Sequence, residues 1–272
     1  MRIENHRLAE APFDATPHCG GPITPRFLVM HYTAGGSALN SVRAIRDRGL
    51  SAHFFVDRDG AVIQTVPCDR LAYHAGPSYW RGHDGLNTCS IGIEIANLGW
   101  FDRREAGGWT RSGLARPLPE GEVVVAAHKN GGPSMGWEAY PEAQLKAVAA
   151  LTEAIRAAYP SIQEVVGHDD IAPRRKQDPG PAFPLARFQH LGGAAGSGTL
   201  AENDLGQFEV SARDNLNLRG GPGTGFAVLG KLAPGSRLRV LREEGDWRLV
   251  DLQGDAVPDG FVHGAFLRRL GG

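Results

Sequence analysis

Apolar residues alternate with polar or small ones in three early segments, and each alternation predicts β-structure. Residues 27–36, FLVMHYTAGG, end in a glycine pair and predict a central strand with His31 near its carboxyl end. Residues 51–66, SAHFFVDRDGAVIQTV, predict a hairpin with an Asp-Gly turn. In residues 90–99, SIGIEIANLG, the period of two places three isoleucines on one face and Glu94 on the other. A lone acid in such a strand is either paired or functional, because burying an unpaired carboxylate is costly.

Helical spacing of apolar residues follows in two places. Ser37 is predicted to cap a helix that stops at Gly49, and Pro141 is predicted to start a longer helix that Pro160 terminates. Strands that alternate with helices predict an α/β domain with a mixed central sheet flanked by helices, over residues 1–190. The Gly- and Pro-rich insertion 100–137 contains one strand candidate, residues 123–127. It either shapes a substrate groove or is a structural elaboration.

The pattern changes near residue 190. Residues 191–208, LGGAAGSGTLAENDLGQF, are small and polar and predict a linker. Residues 209–272 contain five short strand candidates between Gly, Pro and Asp turn signals, without a helix, which predicts a small β-barrel. The strand candidates are residues 216–218, 227–231, 237–242, 247–252 and 260–262.

Composition excludes several classes. The 272 residues are 42% hydrophobic and 22% charged with a net charge of -1, so neither a membrane span nor a basic nucleic-acid-binding face is expected. Three cysteines without CxxC spacing argue against a disulfide framework and a thiolate metal cluster. The first residues, MRIENHRLAEAPFD, do not have the pattern of a secretory signal, which favours a cytoplasmic location, with action on the cell wall after export or lysis as the alternative. The oligomeric state is not readable from the sequence.

Candidate chemistry concentrates in residues 166–180, VGHDDIAPRRKQDPG, which follow a buried-looking strand. A charged surface loop is the alternative interpretation. Together with His31, the side chains of His168 and Asp178 make the ligand set of a catalytic zinc that keeps one position open for water. Glu94 is then the candidate base and Lys176 the candidate oxyanion partner. No HExxH or other local zinc motif supports this set, so the spacing alone is weak evidence.

Five segments carry a family resemblance, namely VMHYTAGG, SAHFFVDRDG, YHAG, IGIEIANLG and VGHDDIAPRRKQDPGP. Their combination and order over residues 27–188 resemble the zinc-dependent N-acetylmuramoyl-L-alanine amidases of the type 2 class, a superfamily shared with the peptidoglycan recognition proteins. The resemblance implies a mixed sheet flanked by helices, with one Zn²⁺ in a groove at the strand ends. It implies His31, His168 and Asp178 as zinc ligands, Glu94 as the catalytic acid and base, and Lys176 as the oxyanion stabiliser.

The implied reaction is hydrolysis of the amide between the lactyl group of N-acetylmuramic acid, or its 1,6-anhydro form, and L-alanine. His74 and Tyr73 are expected to contact the substrate, with a structural hydrogen bond as the alternative for His74. His53 is expected to be a packed residue rather than a ligand. A recognition protein that holds peptidoglycan without cutting it, and a zinc hydrolase of another amide, are the competing functions.

The C-terminal segment LNLRGGPGTGFAVLGKLAPGSRLRVLREEGDWRLVDL is similar to bacterial SH3-like cell-wall modules. Residues 253–260 depart from the usual short turn into the last strand. The resemblance implies a module that tethers the protein to peptidoglycan and so raises the local substrate concentration. A barrel that binds nothing is the alternative.

Overall fold

The structure, a computed structural model of the 272-residue chain, describes residues 1–105, 107–111, 117–189, 191, 205–219, 222–224, 228–252 and 259–270. Its contacts divide the chain into two compact units. The first comprises residues 1–100, 138–180 and 191–194, and the second comprises residues 101–137, 181–190 and 195–272.

Short strands dominate the described residues, and the helices are few. The strands are β1 Ile3–Glu4, β2 Arg7–Leu8, β3 Cys19–Pro22, β4 Phe27–Tyr32, β5 Phe54–Val56, β6 Val62–Gln64, β7 Arg70–Ala72, β8 Tyr79–Trp80, β9 His83–Asp84, β10 Ser90–Ile95, β11 Trp100–Arg103, β12 Trp109–Thr110, β13 Val123–Ala127, β14 Ser134–Glu138, β15 Glu164–Gly167, β16 Gly206–Val210, β17 Leu216–Arg219, β18 Val228–Leu232, β19 Arg237–Glu244, β20 Trp247–Asp251, β21 Gly260–His263 and β22 Leu267–Arg269. The α-helices are α1 Ala38–Arg46, α2 Glu142–Ala158, α3 His168–Ile171 and α4 Ala186–Gln189.

A five-stranded sheet in the order β15-β4-β10-β5-β6 forms the centre of the first unit. The first four strands are parallel, and β6 returns antiparallel to β5 through the predicted hairpin. Strand β4 lies between β15 and β10, and its residues from Phe27 to Met30 are fully buried. The predicted mixed sheet flanked by helices is therefore confirmed.

The period of two in β10 has the expected result. Ile91, Ile93 and Ile95 are fully buried, whereas Glu94 on the alternate face is half-buried. Helix α2 packs Val148 and other apolar residues into the core. Its Gln144 Nε2 donates to the carbonyl oxygens of Val56 at 3.2 Å and Ala96 at 2.9 Å, so the helix is tied to the ends of β5 and β10.

Helix α1 forms where its periodicity predicts it, and Ser37 occupies the predicted N-cap position. The Ser37 side chain, however, makes no capping hydrogen bond. Instead, Asp57 Oδ2 accepts a hydrogen bond from the amide of Ala38 at 3.0 Å. A carboxylate at the end of β5 thus satisfies one of the free amides of the first helical turn.

The insertion contains more β-structure than its sequence predicts. Strand β13 confirms the candidate at 123–127, but β11, β12 and β14 join it in a sheet of order β12-β11-β14-β13. Gly136 has a structural role in β14, because a Cβ there would lie 2.5 Å from the Trp109 ring. The N-terminal 25 residues and residues 70–84 also contain short strands.

The C-terminal strands form an antiparallel sheet of order β18-β17-β21-β20-β19-β16-β22. Five of these strands correspond to the predicted ones, although residue 227 lies outside the described part of the chain. Strands β16 and β22 were not predicted, and β16 begins at Gly206, inside the predicted linker. The rest of that linker, apart from residues 191 and 205, and most of segment 253–260 lie outside the described residues, so the division at 190 and 208 stays a prediction. Among the described residues, no helix is long and apolar enough to cross a bilayer.

Candidate metal centre

Three neighbouring parallel strands bring the candidate chemistry to one edge of the central sheet. His31 lies near the end of β4, and Glu94 is its Cα partner in β10. His168 follows directly after β15, whose last residue, Gly167, pairs with Met30. The carboxyl ends of parallel strands in open α/β sheets commonly form ligand sites.

Three donor atoms converge at this edge. His31 Nδ1 lies 2.8 Å from His168 Nδ1 and 3.0 Å from Asp178 Oδ2, and His168 Nδ1 lies 2.9 Å from the same oxygen. All three residues are buried. The structure therefore brings together the three predicted ligands, which are separated by as many as 147 residues in the chain.

The loop after β15 is held in shape by backbone and side-chain bonds. The amide of Asp169 donates to the carbonyl oxygen of Asp178 at 2.8 Å, which closes the loop between His168 and Asp178. The amide of Gly167 donates to Asp170 Oδ2 at 2.7 Å. Asp178 is thereby placed beside His168, although nine residues intervene.

The outer nitrogen of each imidazole also has a partner. His168 Nε2 lies 3.0 Å from the carbonyl oxygen of Ala75, which only accepts hydrogen bonds, so His168 donates from Nε2. His31 Nε2 lies 3.0 Å from His74 Nδ1. A partner on the outer nitrogen is the usual arrangement for a histidine that binds a metal.

The electrostatics of this donor set fit a cation. Burial, reinforced by the neighbouring His168 ring, lowers the pKa of His31 to about 4. Burial alone raises the pKa of Asp178, but its close contacts with the imidazoles of His168 and His31 outweigh that effect and bring the pKa below its usual range. Two imidazoles and a carboxylate whose donor atoms lie within 3.0 Å of one another form a ligand set that Zn²⁺ prefers. The residues present therefore fit the metal that the sequence predicts.

Glu94 and Lys176 lie within electrostatic range of this centre. Burial, together with the charge of Asp178, raises the pKa of Glu94 well above its ordinary value, and the charge of Lys176 partly offsets the rise. The Lys176 side chain is half-buried. A carboxyl group with a raised pKa is suited to take up and return a proton near neutral pH.

The two predicted substrate contacts differ in their surroundings. Tyr73 is 40% exposed and so is accessible to a ligand, whereas His74 packs edge-on against the ring of His31. Their contact with substrate stays a prediction. His53 is buried, donates from Nε2 to the carbonyl oxygen of Arg70 at 2.8 Å and accepts from the amide of Gly92 at 3.0 Å, as expected of a packed residue.

Sequence reasoning missed two groups near the centre. The carbonyl oxygen of Ala75 accepts from His168 and also from Arg175 Nη2 at 2.6 Å. Ser90 lies on the same strand as Glu94, four residues earlier, and contacts His74. Side chains in a strand alternate between faces with a period of two residues, so Ser90, four residues before Glu94, lies on the same face of β10 as Glu94. No sequence signal marks a backbone carbonyl.

Comparison with known proteins gives two domain matches. The sequence profile of the family described as N-acetylmuramoyl-L-alanine amidase matches residues 21–181, and that of the bacterial SH3 domain matches residues 214–268. The first match covers more than half of the chain and contains all of the converging residues.

Individual relatives point the same way. The chain is 37% identical over 143 residues to the 1,6-anhydro-N-acetylmuramyl-L-alanine amidase AmpD of Escherichia coli, a match that covers 52% of this chain and 58% of the relative. It is 33% identical over 203 residues to the N-acetylmuramoyl-L-alanine amidase AmiD of Escherichia coli, covering 72% of this chain and 59% of the relative. The chain thus spans less than two thirds of the length of these relatives. A solved structure of a selenomethionine AmpD derivative superposes with a TM-score of 0.50 at 29% identity, covering 69% of this chain and 97% of that one.

Proposed function

Because the chain belongs to the N-acetylmuramoyl-L-alanine amidase family, we propose that it is a zinc-dependent hydrolase of the amide between N-acetylmuramic acid and L-alanine. The observation that carries the proposal is the convergence of His31 Nδ1, His168 Nδ1 and Asp178 Oδ2 within 3.0 Å of one another. These three residues would hold the metal. When bound there, Zn²⁺ supplies Lewis-acid polarisation of the carbonyl and lowers the pKa of water toward ~7.

Glu94 performs the proton transfers in this proposal. As a carboxylate it removes a proton from the attacking water, whose oxygen forms a bond to the lactyl carbonyl carbon. It then returns that proton to the nitrogen of L-alanine as the C–N bond breaks, so the products are a lactyl carboxylic acid and a free amine. The raised pKa of Glu94 favours the second transfer, because the protonated form persists at higher pH than in an ordinary glutamate.

Lys176 stabilises the negative oxygen that develops on the same carbonyl. Its ammonium group is close enough to the centre to influence the pKa of both Glu94 and His31. A fixed positive charge in a partly desolvated site interacts with an oxyanion more strongly than it would in water. Tyr73, whose side chain is exposed, is the proposed contact for the substrate beyond the cleaved bond.

We propose 1,6-anhydro-N-acetylmuramyl peptides as substrates alongside intact peptidoglycan, since the name of the AmpD relative specifies the anhydro form. The expected cytoplasmic location stays a prediction. The test is mass spectrometry of the products from purified sacculi and from anhydro-muropeptides. It uses zinc-loaded protein, chelated protein and the zinc-loaded Glu94→Gln variant, which retains the size of the side chain.

Release of peptides with a free L-alanine amine by the zinc-loaded wild type alone is the expected result. The substrate that is hydrolysed faster, sacculi or anhydro-muropeptides, then indicates the substrate preference of the enzyme. Binding of peptidoglycan without release of peptide under any condition would contradict the proposed hydrolase activity. It would instead indicate a recognition protein.

For the bacterial SH3 domain we propose peptidoglycan binding. A groove of about 600 Å³ is lined by three neighbouring rings, those of Trp247, His263 and Phe266. The ring centroids of Trp247 and His263 lie 5.2 Å apart in an edge-to-face arrangement, and those of His263 and Phe266 lie 5.5 Å apart with the rings tilted. Phe266 is 46% exposed, so Phe266→Ala is expected to weaken cosedimentation of the full chain with sacculi without unfolding it. Leu39→Ala, at a 42% exposed leucine of the other unit, is the matched control. Equal cosedimentation of both variants with the wild type would contradict a role for this groove.

A further inference from the structure

We propose that His74 and Ser90 are positioning residues for His31. A chain of hydrogen bonds through them keeps a proton on Nε2 of His31, so that the lone pair on its Nδ1 faces Asp178 and His168. The inference deepens the proposed function and rests on its metal site. It concerns the tautomers of the imidazole rings, that is, which ring nitrogen carries the single proton of a neutral histidine.

The chain of bonds begins at a carbonyl group. Ser90 is fully buried, and its Oγ lies 2.6 Å from the carbonyl oxygen of Leu86. A carbonyl oxygen only accepts, so the single hydroxyl proton of Ser90 is donated to it. The same Oγ lies 3.4 Å from His74 Nε2 and is left with only lone pairs for this second contact. His74 is therefore the donor, and its proton is on Nε2.

The next bond follows from that assignment. In neutral His74 a proton on Nε2 leaves Nδ1 unprotonated, and this nitrogen lies 3.0 Å from His31 Nε2. His31 must then donate from Nε2, which leaves its own Nδ1 unprotonated. That nitrogen lies 3.0 Å from Asp178 Oδ2, at the point where the donor atoms converge. The direction of every bond from Leu86 to the metal centre is thus determined by one backbone carbonyl.

The surrounding chain is built to hold His74 in this place. A Cβ at position 92 would lie 2.5 Å from Cγ of His74, so only glycine leaves room for the ring beside β10. Asn87 Oδ1 accepts from the amides of His74 at 3.1 Å and Ala75 at 2.7 Å, which anchors the backbone. The His53 ring packs edge-on, with its centroid 5.8 Å from that of His74.

Two consecutive residues therefore orient both imidazole ligands. His74 receives the outer N–H of His31, and the carbonyl oxygen of Ala75 receives that of His168. Because both ring nitrogens of His74 have partners within the protein, the structure favours the structural alternative over a nitrogen contact with substrate. A partner of this kind typically contributes 10- to 100-fold to metal affinity.

The first experiment compares two variants of similar side-chain shape. His74→Asn keeps an acceptor oxygen near the position of Nδ1, whereas His74→Leu removes it. The zinc dissociation constant is measured by competition with a chelator, and circular dichroism and Tm of the metal-free proteins report folding. We expect His74→Asn to bind zinc within about threefold of the wild type and His74→Leu to bind about 10- to 100-fold more weakly. Equal zinc affinity of two folded variants would overturn the proposal.

Ser90 is tested by a double-mutant cycle. Ser90→Ala alone is expected to weaken zinc binding, because His74 loses the acceptor that holds its proton on Nε2. In the His74→Asn background, Ser90→Ala is expected to have little further effect on zinc affinity. Asparagine has no counterpart of the His74 Nε2–H group that donates to Ser90 Oγ. An equal loss in both backgrounds would show that Ser90 acts independently of His74 and would overturn the relay.

A spectroscopic measurement on the wild type needs no variant. Two-bond ¹H–¹⁵N correlation spectra of the zinc-loaded protein report which nitrogen of each imidazole is protonated, and His74 is expected to carry its proton on Nε2. A proton on Nδ1 of His74 would overturn the relay while leaving the metal site intact. Failure of the wild type to bind zinc at all would contradict the proposed metal site itself, before any variant is compared.

Discussion

Glu94 and His31 lie at the same level of two adjacent parallel strands, as Cα partners in the register of β10 and β4. Side chains at paired positions of parallel strands point to the same face of the sheet, so the register places a carboxyl group beside an imidazole. Strand β15, on the other side of β4, delivers His168 to the same edge. The candidate site therefore depends on the order of β15, β4 and β10 in the sheet.

Replacing Lys176 with methionine is expected to reduce kcat by roughly 10²- to 10³-fold, because the oxyanion loses its fixed positive charge. KM is expected to change little, since the charge acts chiefly in the transition state. Lys146→Met makes the same chemical change at an exposed position of α2 and is expected to leave kcat unchanged. Steady-state kinetics of zinc-loaded protein provide the measurement. Equal kcat for both variants would count against the oxyanion role.

Removal of zinc is expected to abolish hydrolysis and lower Tm, and added zinc is expected to restore both. A ligand at 1,000 times its Kd stabilises the folded state by about 4 kcal/mol. Asp178→Asn removes the one charged ligand, so the Tm of this variant is expected to respond far less to zinc than that of the wild type. Differential scanning fluorimetry over a range of zinc concentrations measures the response. An unchanged zinc-induced shift in the variant would exclude Asp178 as a ligand.

Protonation of His53 is expected to lower the unfolding free energy of the metal-free protein as the pH falls. Burial lowers the pKa of this histidine from 6.5 to about 4. Between these values the unfolded chain binds a proton that the folded protein does not, so the stability is complete above pH 6.5 and falls as the pH drops toward 4. The full loss is on the order of 3 kcal/mol.

The measurement for His53 is urea unfolding at pH 7.5 and pH 5 in the presence of a chelator. His53→Gln is expected to show a smaller difference in unfolding free energy between the two pH values than the wild type, whatever its absolute stability. The same difference in both proteins would assign the acid sensitivity to other groups.

Because Asp57 caps helix α1 and the Ser37 side chain does not, substitutions of these two residues are expected to differ in their effect on the unfolding free energy. Asp57→Ala is expected to cost about 1 kcal/mol of unfolding free energy, because the amide of Ala38 loses its carboxylate acceptor. Ser37→Ala is expected to stay within about 0.5 kcal/mol of the wild type, since Ser37 makes no side-chain capping bond. Urea unfolding of the metal-free proteins measures both. A larger loss for Ser37→Ala than for Asp57→Ala would contradict the observed cap.

Sequence reasoning succeeded where the signal was local and failed where it was not. The alternation in β10 and the apolar run of β4 are long enough to show their period, and both strands form as predicted. Strand β12 has two residues, too few to show any alternation, so the four-stranded sheet of the insertion was missed. Asp57 lies 19 residues after Ala38, whose amide donates to it, beyond the reach of any rule that examines adjacent positions.

The amino-acid sequence by itself determined the elements and the inventory of the candidate site. Hydrophobic periodicity specified the central strands and both long helices, because burial of one face is encoded residue by residue. The residue types of His31, His168, Asp178, Glu94 and Lys176 specified the available chemistry. Only the tertiary structure decided which atoms meet. The parallel order of β15, β4 and β10 brings two distant histidines within 2.8 Å, and the segment after β7 supplies the carbonyl oxygen of Ala75, which no side chain marks. Long-range contacts and backbone acceptors depend on how strands pair, and that pairing is a property of the folded chain as a whole.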